Sequence, residues 1–147
     1  MSDSAIPKGE PTYRGLVYPW HCDHMGHMNV MWYVGKFDEA TWNLMARFGL
    51  TGEYLRSNGR GLVAVEQQLF YKAELLAGDA VSIHSEFLEV RDKSMRFRHV
   101  MVGSGGAVAA ESLLTGVQID SKLRRACSLD PAIRAGIEAA IALEPHT

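Results

Sequence analysis

The hydrophobic period of this chain changes once, and that change constrains the fold more than any other feature. Over VMWYVGKFDEATWNLMARFG (30–49) apolar groups recur every three or four residues, at Val30, Val34, Phe37, Thr41, Leu44, Met45 and Phe48. That spacing lines one face of a helix. Asn29 stands where an N-cap belongs and Gly49 where a C′ glycine belongs. Met31, Trp32, Tyr33, Ala40 and Trp42 widen the apolar face beyond one stripe, which predicts a helix with protein on most sides. After SNGRG (57–61) the period becomes two, through LVAVEQQLFYKAEL (62–75), AVSIHSEFLEV (80–90), SMRFRHVMV (94–102) and AVAAESLLTGVQI (107–119). The short connections AGD (77–79), RDK (91–93) and GSGG (103–106) suggest an antiparallel meander.

Two smaller pieces complete the pattern. TYRGLVYPW (12–20) reads as a short strand before the helix, and Asp130-Pro131 opens a short helix that runs to about Leu143. The expected fold is α+β: a five-stranded antiparallel sheet wrapped around one long central helix, plus a short C-terminal helix. Residues 1–11 read as a loose N-terminal segment and 12–147 as a single domain. The terminal strands remain edges, which predicts pairing with another subunit.

Composition narrows the function. Hydrophobic residues make up 47% and charged ones 22%, with a formal charge of −2, so no basic field points to a nucleic-acid partner. No apolar run approaches the ~20 residues of a membrane span. The start, MSDSAIPKGEPTY, lacks the basic-then-apolar order of a secretory signal. Cys22 and Cys127 provide no disulfide framework, so a cytoplasmic location with reduced thiols is expected.

Chemistry concentrates in HCDHMGHMN (21–29), which holds three of the six histidines with Cys22 and Asp23. His21, Cys22, Asp23, His24 and His27 are competent metal ligands. No second cluster completes a set, since His84, His99 and His146 stand apart. The expectation is therefore no metal and no cofactor, with a metal-dependent hydrolase built on His21–His27 as an alternative. Asp23 alone could equally be a turn residue bonded to its own backbone. Gly26 suits a crowded turn. With Asn29 as cap, Val30 N–H points outward at the positive end of the helix dipole, where it can stabilise an oxyanion. His27 reads as a brace for the loop or a proton shuttle.

Asp23-His24-Met25-Gly26-His27-Met28-Asn29, then Tyr33, FDEA (37–40) and LFYKAELLAGD (69–79) together resemble hotdog-fold acyl-CoA thioesterases of the 4-hydroxybenzoyl-CoA thioesterase class. The resemblance covers roughly residues 12–120. It implies an acyl-CoA substrate, Asp23 as the catalytic carboxylate (general base or nucleophile) and Val30 N–H as a donor to the thioester oxygen. Asn29 and His27 complete the catalytic candidates. A related branch takes its carboxylate from the neighbourhood of Glu66, across a subunit interface. Arg91, Lys93, Arg96 and Arg98 are candidate contacts for the phosphates of coenzyme A. Trp20, Trp32 and Tyr33 bracket the expected acyl pocket, and aromatic rings can receive a quaternary ammonium. The stretch 18–42 is similar to thioesterases of carnitine breakdown, which act on betainyl-CoA. The resemblance also implies a homodimer or homotetramer with the active site at the subunit interface. The alternative from another class is a non-catalytic acyl-CoA-binding or dehydratase-like hotdog protein.

Overall fold

The computed structural model describes residues 5–143. His146 and the first four residues of the expected loose segment lie outside the described residues. β1 (Tyr13–Leu16) is followed by a 3-10 turn (Pro19–His21), α1 (Val30–Ala46), α2 (Gly52–Ser57), β2 (Arg60–Tyr71), β3 (Ala80–Val90), β4 (Ser94–Val102), β5 (Val108–Asp120), β6 (Arg125–Ala126) and α3 (Pro131–Leu143). The order of strands in the sheet is β1-β3-β4-β5-β2, with β6 paired to β5. Strands β1 and β3 run antiparallel, Tyr13 opposite Ile83 and Leu16 opposite Ala80. Among the described residues, no helix is long and apolar enough to cross a membrane.

The meander holds through β3, β4 and β5 but fails at AGD. Strand β2 lies beside β5, at the opposite end of the strand order from β1. Residues 72–79 are occupied otherwise. Leu75 C=O accepts from Met28 N–H at 2.7 Å, Gly78 N–H donates to Val17 C=O at 2.8 Å, and Val17 N–H donates to Asp79 C=O at 2.9 Å. A tight hairpin would forfeit these bonds, which fasten the crossover to the loop before α1.

The chain clusters into two compact units, one built from the residues before Leu44 with Leu69–Ser85 and His99–Ser112, the other from Leu44–Gln68, Glu86–Arg98 and the residues after Ser112. In the first, Tyr33, Phe37 and Ala40 of α1 share a core with Val81, Ile83, Met101, Ala109 and Ala110. In the second, Leu44 and Met45 join Phe87, Met95, Phe97 and Leu114. Removing a buried ring such as Phe37 typically costs about 3–5 kcal/mol. The buried stripe of α1 thus runs through Tyr33, Phe37, Ala40, Leu44 and Met45. Val30 and Val34, expected on it, are 56% and 37% exposed. Val34 lies about 100° around the helix from Tyr33, and Val30 belongs to the open first turn.

Strand β4 has buried residues of both parities, which explains why its alternation breaks at Val100. His99 is wholly buried with Met95, Phe97 and Met101. Its Nε2 meets Thr41 Oγ1 at 2.8 Å and its Nδ1 meets Ser85 Oγ at 2.5 Å. Ser85 Oγ in turn meets Thr12 Oγ1 at 2.7 Å. Burial pushes the His99 pKa down to about 3, so the imidazole is neutral and held by hydroxyls that can match either tautomer.

Candidate active site

The loop before α1 is a closed hairpin. Asp23 N–H donates to His27 C=O at 3.2 Å, Gly26 N–H to Asp23 C=O at 3.0 Å, and Asn29 N–H to His21 C=O at 2.9 Å. Gly26 adopts φ 88°, a conformation that a side chain would strain. Ahead of it, Pro19 opens the 3-10 turn and His21 turns inward, 8% exposed. Its Nδ1 accepts from Tyr18 N–H at 3.0 Å, which leaves the proton of the neutral ring on Nε2. Burial, then the Lys36 charge, lowers the His21 pKa.

Hydrogen bonds fix the Asp23 carboxylate at both oxygens. Oδ1 accepts from Met25 N–H at 2.8 Å and Oδ2 accepts from Asn29 Nδ2 at 2.8 Å. The bond from Asn29, then that from Met25, holds its pKa below the usual carboxylate value, with the charges of His27 and His24 adding to the effect. Asn29 Oδ1 accepts from Met31 N–H at 3.0 Å, so one side chain caps the helix and tethers the carboxylate. Trp32 N–H bonds to Asn29 C=O. Val30 N–H has no partner among the described residues. An ionised carboxylate and a free, dipole-backed donor thus stand at the same helix end, a pairing that can serve acyl transfer.

The expected binding residues separate into two concavities. One of about 290 Å³ is lined by His27, Met28, Val30, Tyr33, Tyr71, Lys72, Ala73 and Glu74. There Tyr33 Oη donates to Ala73 C=O at 3.2 Å, and its ring meets Tyr71 edge to face at 5.2 Å. Burial, then the neighbouring Tyr71 and Glu74, raises the Tyr33 pKa. His27 Nε2 lies 3.6 Å from Glu74 Oε1, and Lys72 pairs with the buried Glu111. Trp20 and Trp32 instead line a pocket of about 480 Å³ with Tyr18, His21 and Lys36. Tyr71 and Glu74 lay unremarked within LFYKAELLAGD. The signal was their place in that stretch, and only the crossover brings them beside Val30.

The remaining candidates belong to the other unit. Glu66 is on the exposed middle of β2. Arg91, Lys93 and Arg96 are exposed, Arg91 with Nε 3.0 Å from Glu89. Arg98 departs from the expected cluster: it is 6% exposed, with Nη1 2.7 Å from Glu86 Oε2. On a strand buried on both faces its guanidinium finds a carboxylate partner. Among the described residues, no three His, Cys, Asp or Glu side chains converge as a metal-binding group.

Residues 17–137 match the thioesterase-like superfamily. The betainyl-CoA thioesterase of Pseudomonas aeruginosa is 30% identical over 131 residues, 87% of this chain and 81% of that protein. The L-carnitine dehydrogenase/betainyl-CoA thioesterase of Agrobacterium fabrum is 27% identical over 116 residues, which span 79% of this chain and 24% of that longer protein. Among solved structures, the Staphylococcus aureus protein SAV2348 in complex with CoA superimposes with a TM-score of 0.88 at 18% identity, covering 99% of this chain and 92% of that one. That likeness is one of fold, which is the hotdog fold.

Proposed function

The chain belongs to the thioesterase-like superfamily and is accordingly an acyl-CoA thioester hydrolase, and we propose that Asp23 supplies its reacting carboxylate and Val30 N–H its oxyanion donor. One observation carries this assignment: the Asn29 amide ties Asp23 to the helix end where Val30 N–H is free. As a general base, Asp23 takes a proton from water while the water oxygen attacks the thioester carbon. As a nucleophile, its oxygen attacks that carbon and expels CoA thiolate, and water then cleaves the mixed anhydride. In both routes the developing oxyanion faces Val30 N–H.

The test is thiol release from a panel of acyl-CoAs. Asp23→Asn is expected to lower kcat by about 10²–10⁴-fold; unchanged turnover would overturn the assignment, and no hydrolysis by wild type would favour the binding-protein alternative. A single turnover in ¹⁸O-water separates the routes, because label in the Asp23 carboxylate is expected only from an anhydride.

For the acyl group we assign the concavity beside Val30 and a small acyl chain ending in a quaternary ammonium. The Tyr33 and Tyr71 rings and the Glu74 carboxylate suit such a cation, and similarity to two betainyl-CoA thioesterases supports it. Trp20 and Trp32 are left out, because the Lys36 ammonium in their pocket bonds only to neutral groups and opposes a second cation, whereas the Lys72 charge beside Val30 is paired with Glu111. Betainyl-CoA is expected to outpace the neutral isostere 3,3-dimethylbutyryl-CoA; equal rates would remove the idea. As partner we assign a second copy of the chain, joined along edge strand β2, where Val63 and Val65 are 36% and 59% exposed.

A further inference from the structure

We propose that the pocket walled by Tyr18, Trp20 and Trp32, with Lys36 and His21 among its lining residues, is a second binding site for a small organic carboxylate with a planar or apolar body. Its volume is about 480 Å³, and neither Asp23, Val30 nor Tyr33 lines it. It is therefore separate from the concavity assigned to the acyl group.

The anion follows from an uncompensated cation. Lys36 is 3% exposed, yet its Nζ donates only to neutral groups, Tyr13 Oη at 2.8 Å and Leu16 C=O at 3.4 Å. An ammonium has three protons to donate, and beyond these two acceptors Nζ meets only the neutral Tyr13 ring, 5.1 Å from its centroid. Among the described residues no carboxylate lies within ion-pairing distance of Lys36, although the exposed Glu39 lines the same pocket. A buried charge without a counter-charge is costly, and a bound carboxylate supplies one. His21 adds a second donor. With Nδ1 occupied by Tyr18 N–H, Nε2–H of the neutral ring has no partner among the described residues. Burial first, then the Lys36 charge, lowers the His21 pKa, in keeping with a neutral ring near the ammonium.

The body of the ligand follows from the walls. Tyr18 and Trp20 stack at 4.5 Å with planes 3° apart, and Trp32 lies 4.3 Å from the His21 ring. Trp20 is 67% exposed, an uncovered face suited to stacking. Tyr13 reaches Lys36 because Gly15 leaves room: a Cβ at that position would collide with the Tyr13 hydroxyl.

The experiment uses benzoate as probe and tryptophan fluorescence as readout, with benzamide and phenyltrimethylammonium as neutral and cationic controls. Saturable binding of benzoate is expected, about tenfold or more tighter than either control. Lys36→Met is expected to weaken benzoate by about ten- to hundredfold, and Trp20→Ala, at an exposed ring, to weaken it while leaving the fold intact. Tyr71→Ala, in the other concavity, is expected to leave benzoate binding unchanged. Benzamide binding as tightly as benzoate, no saturable benzoate binding, or a loss on Tyr71→Ala would each overturn the proposal. Should Lys36→Met fail to fold, the charge series on the wild type and the Trp20→Ala titration decide.

Discussion

Asn29 Nδ2 donates to Asp23 Oδ2 at 2.8 Å, while Asn29 Oδ1 accepts from Met31 N–H at 3.0 Å. The carboxylate is thereby fixed to the first turn of α1 rather than to a mobile loop. Position and ionisation of Asp23 depend first on that amide and then on Met25 N–H, which holds the other carboxylate oxygen.

Asn29→Ala removes the cap and the tether together. It is expected to cost about 1 kcal/mol of stability and to lower kcat by about 10- to 100-fold. Asn29→Asp keeps a capping oxygen but has no amide to donate. Its new carboxylate also faces Asp23 Oδ2 in place of the amide 2.8 Å away, so it should lose activity, melt below wild type and shift the acid limb upward. Thermal melts alongside thiol-release assays check both, and full activity in Asn29→Asp would show the tether to be dispensable.

The acid limb of kcat/KM should lie below the ordinary carboxylate range. The Asn29 hydrogen bond is the largest cause lowering the Asp23 pKa, so the ionised, reactive form persists to lower pH. In Asn29→Ala the limb should move upward. A pH–rate profile with acid limbs that coincide in the two proteins would remove Asp23 as the titrating group.

His99 predicts where acid weakens the fold. Its pKa is about 3 in the folded chain against an ordinary 6.5. Below 6.5 the unfolded state takes up a proton that the folded state refuses, so stability falls as pH drops from 6.5 toward 3. The stabilisation is complete above that window. Urea midpoints at pH 7 and pH 5 should differ in wild type and draw together in His99→Gln, which keeps hydrogen-bonding capacity without the titration.

Val65 tests the β2 pairing. Val65→Lys places a charge on the exposed edge strand and is expected to yield a monomer by light scattering, where wild type elutes as an oligomer. A wild-type monomer would defeat the assigned partner.

Much of the fold was legible because it is local. The bounds of β3 and β4, and the start of α3 at Pro131, follow from alternation and from Asp130-Pro131. The Asn29 cap needed only its place before the periodic run. Val30 and Val34 were misplaced because periodicity shows that a stripe exists without saying which edge of it meets the sheet. The two-residue β6 and the six-residue α2 are too short to carry a period.

Sequence by itself determined the helix, the strands and the Asp23–Asn29 spacing, since each rests on neighbours within a turn or a strand. Tertiary structure alone decided that β2 crosses to β5 and that Tyr71 and Glu74 arrive beside Val30. It also decided that Trp20 and Trp32 gather around Lys36, and that His99 is buried among hydroxyls. Those outcomes depend on pairing between residues far apart in the chain. Such pairing is selected by the free energy of the assembled core and its satisfied polar groups, which no local pattern encodes.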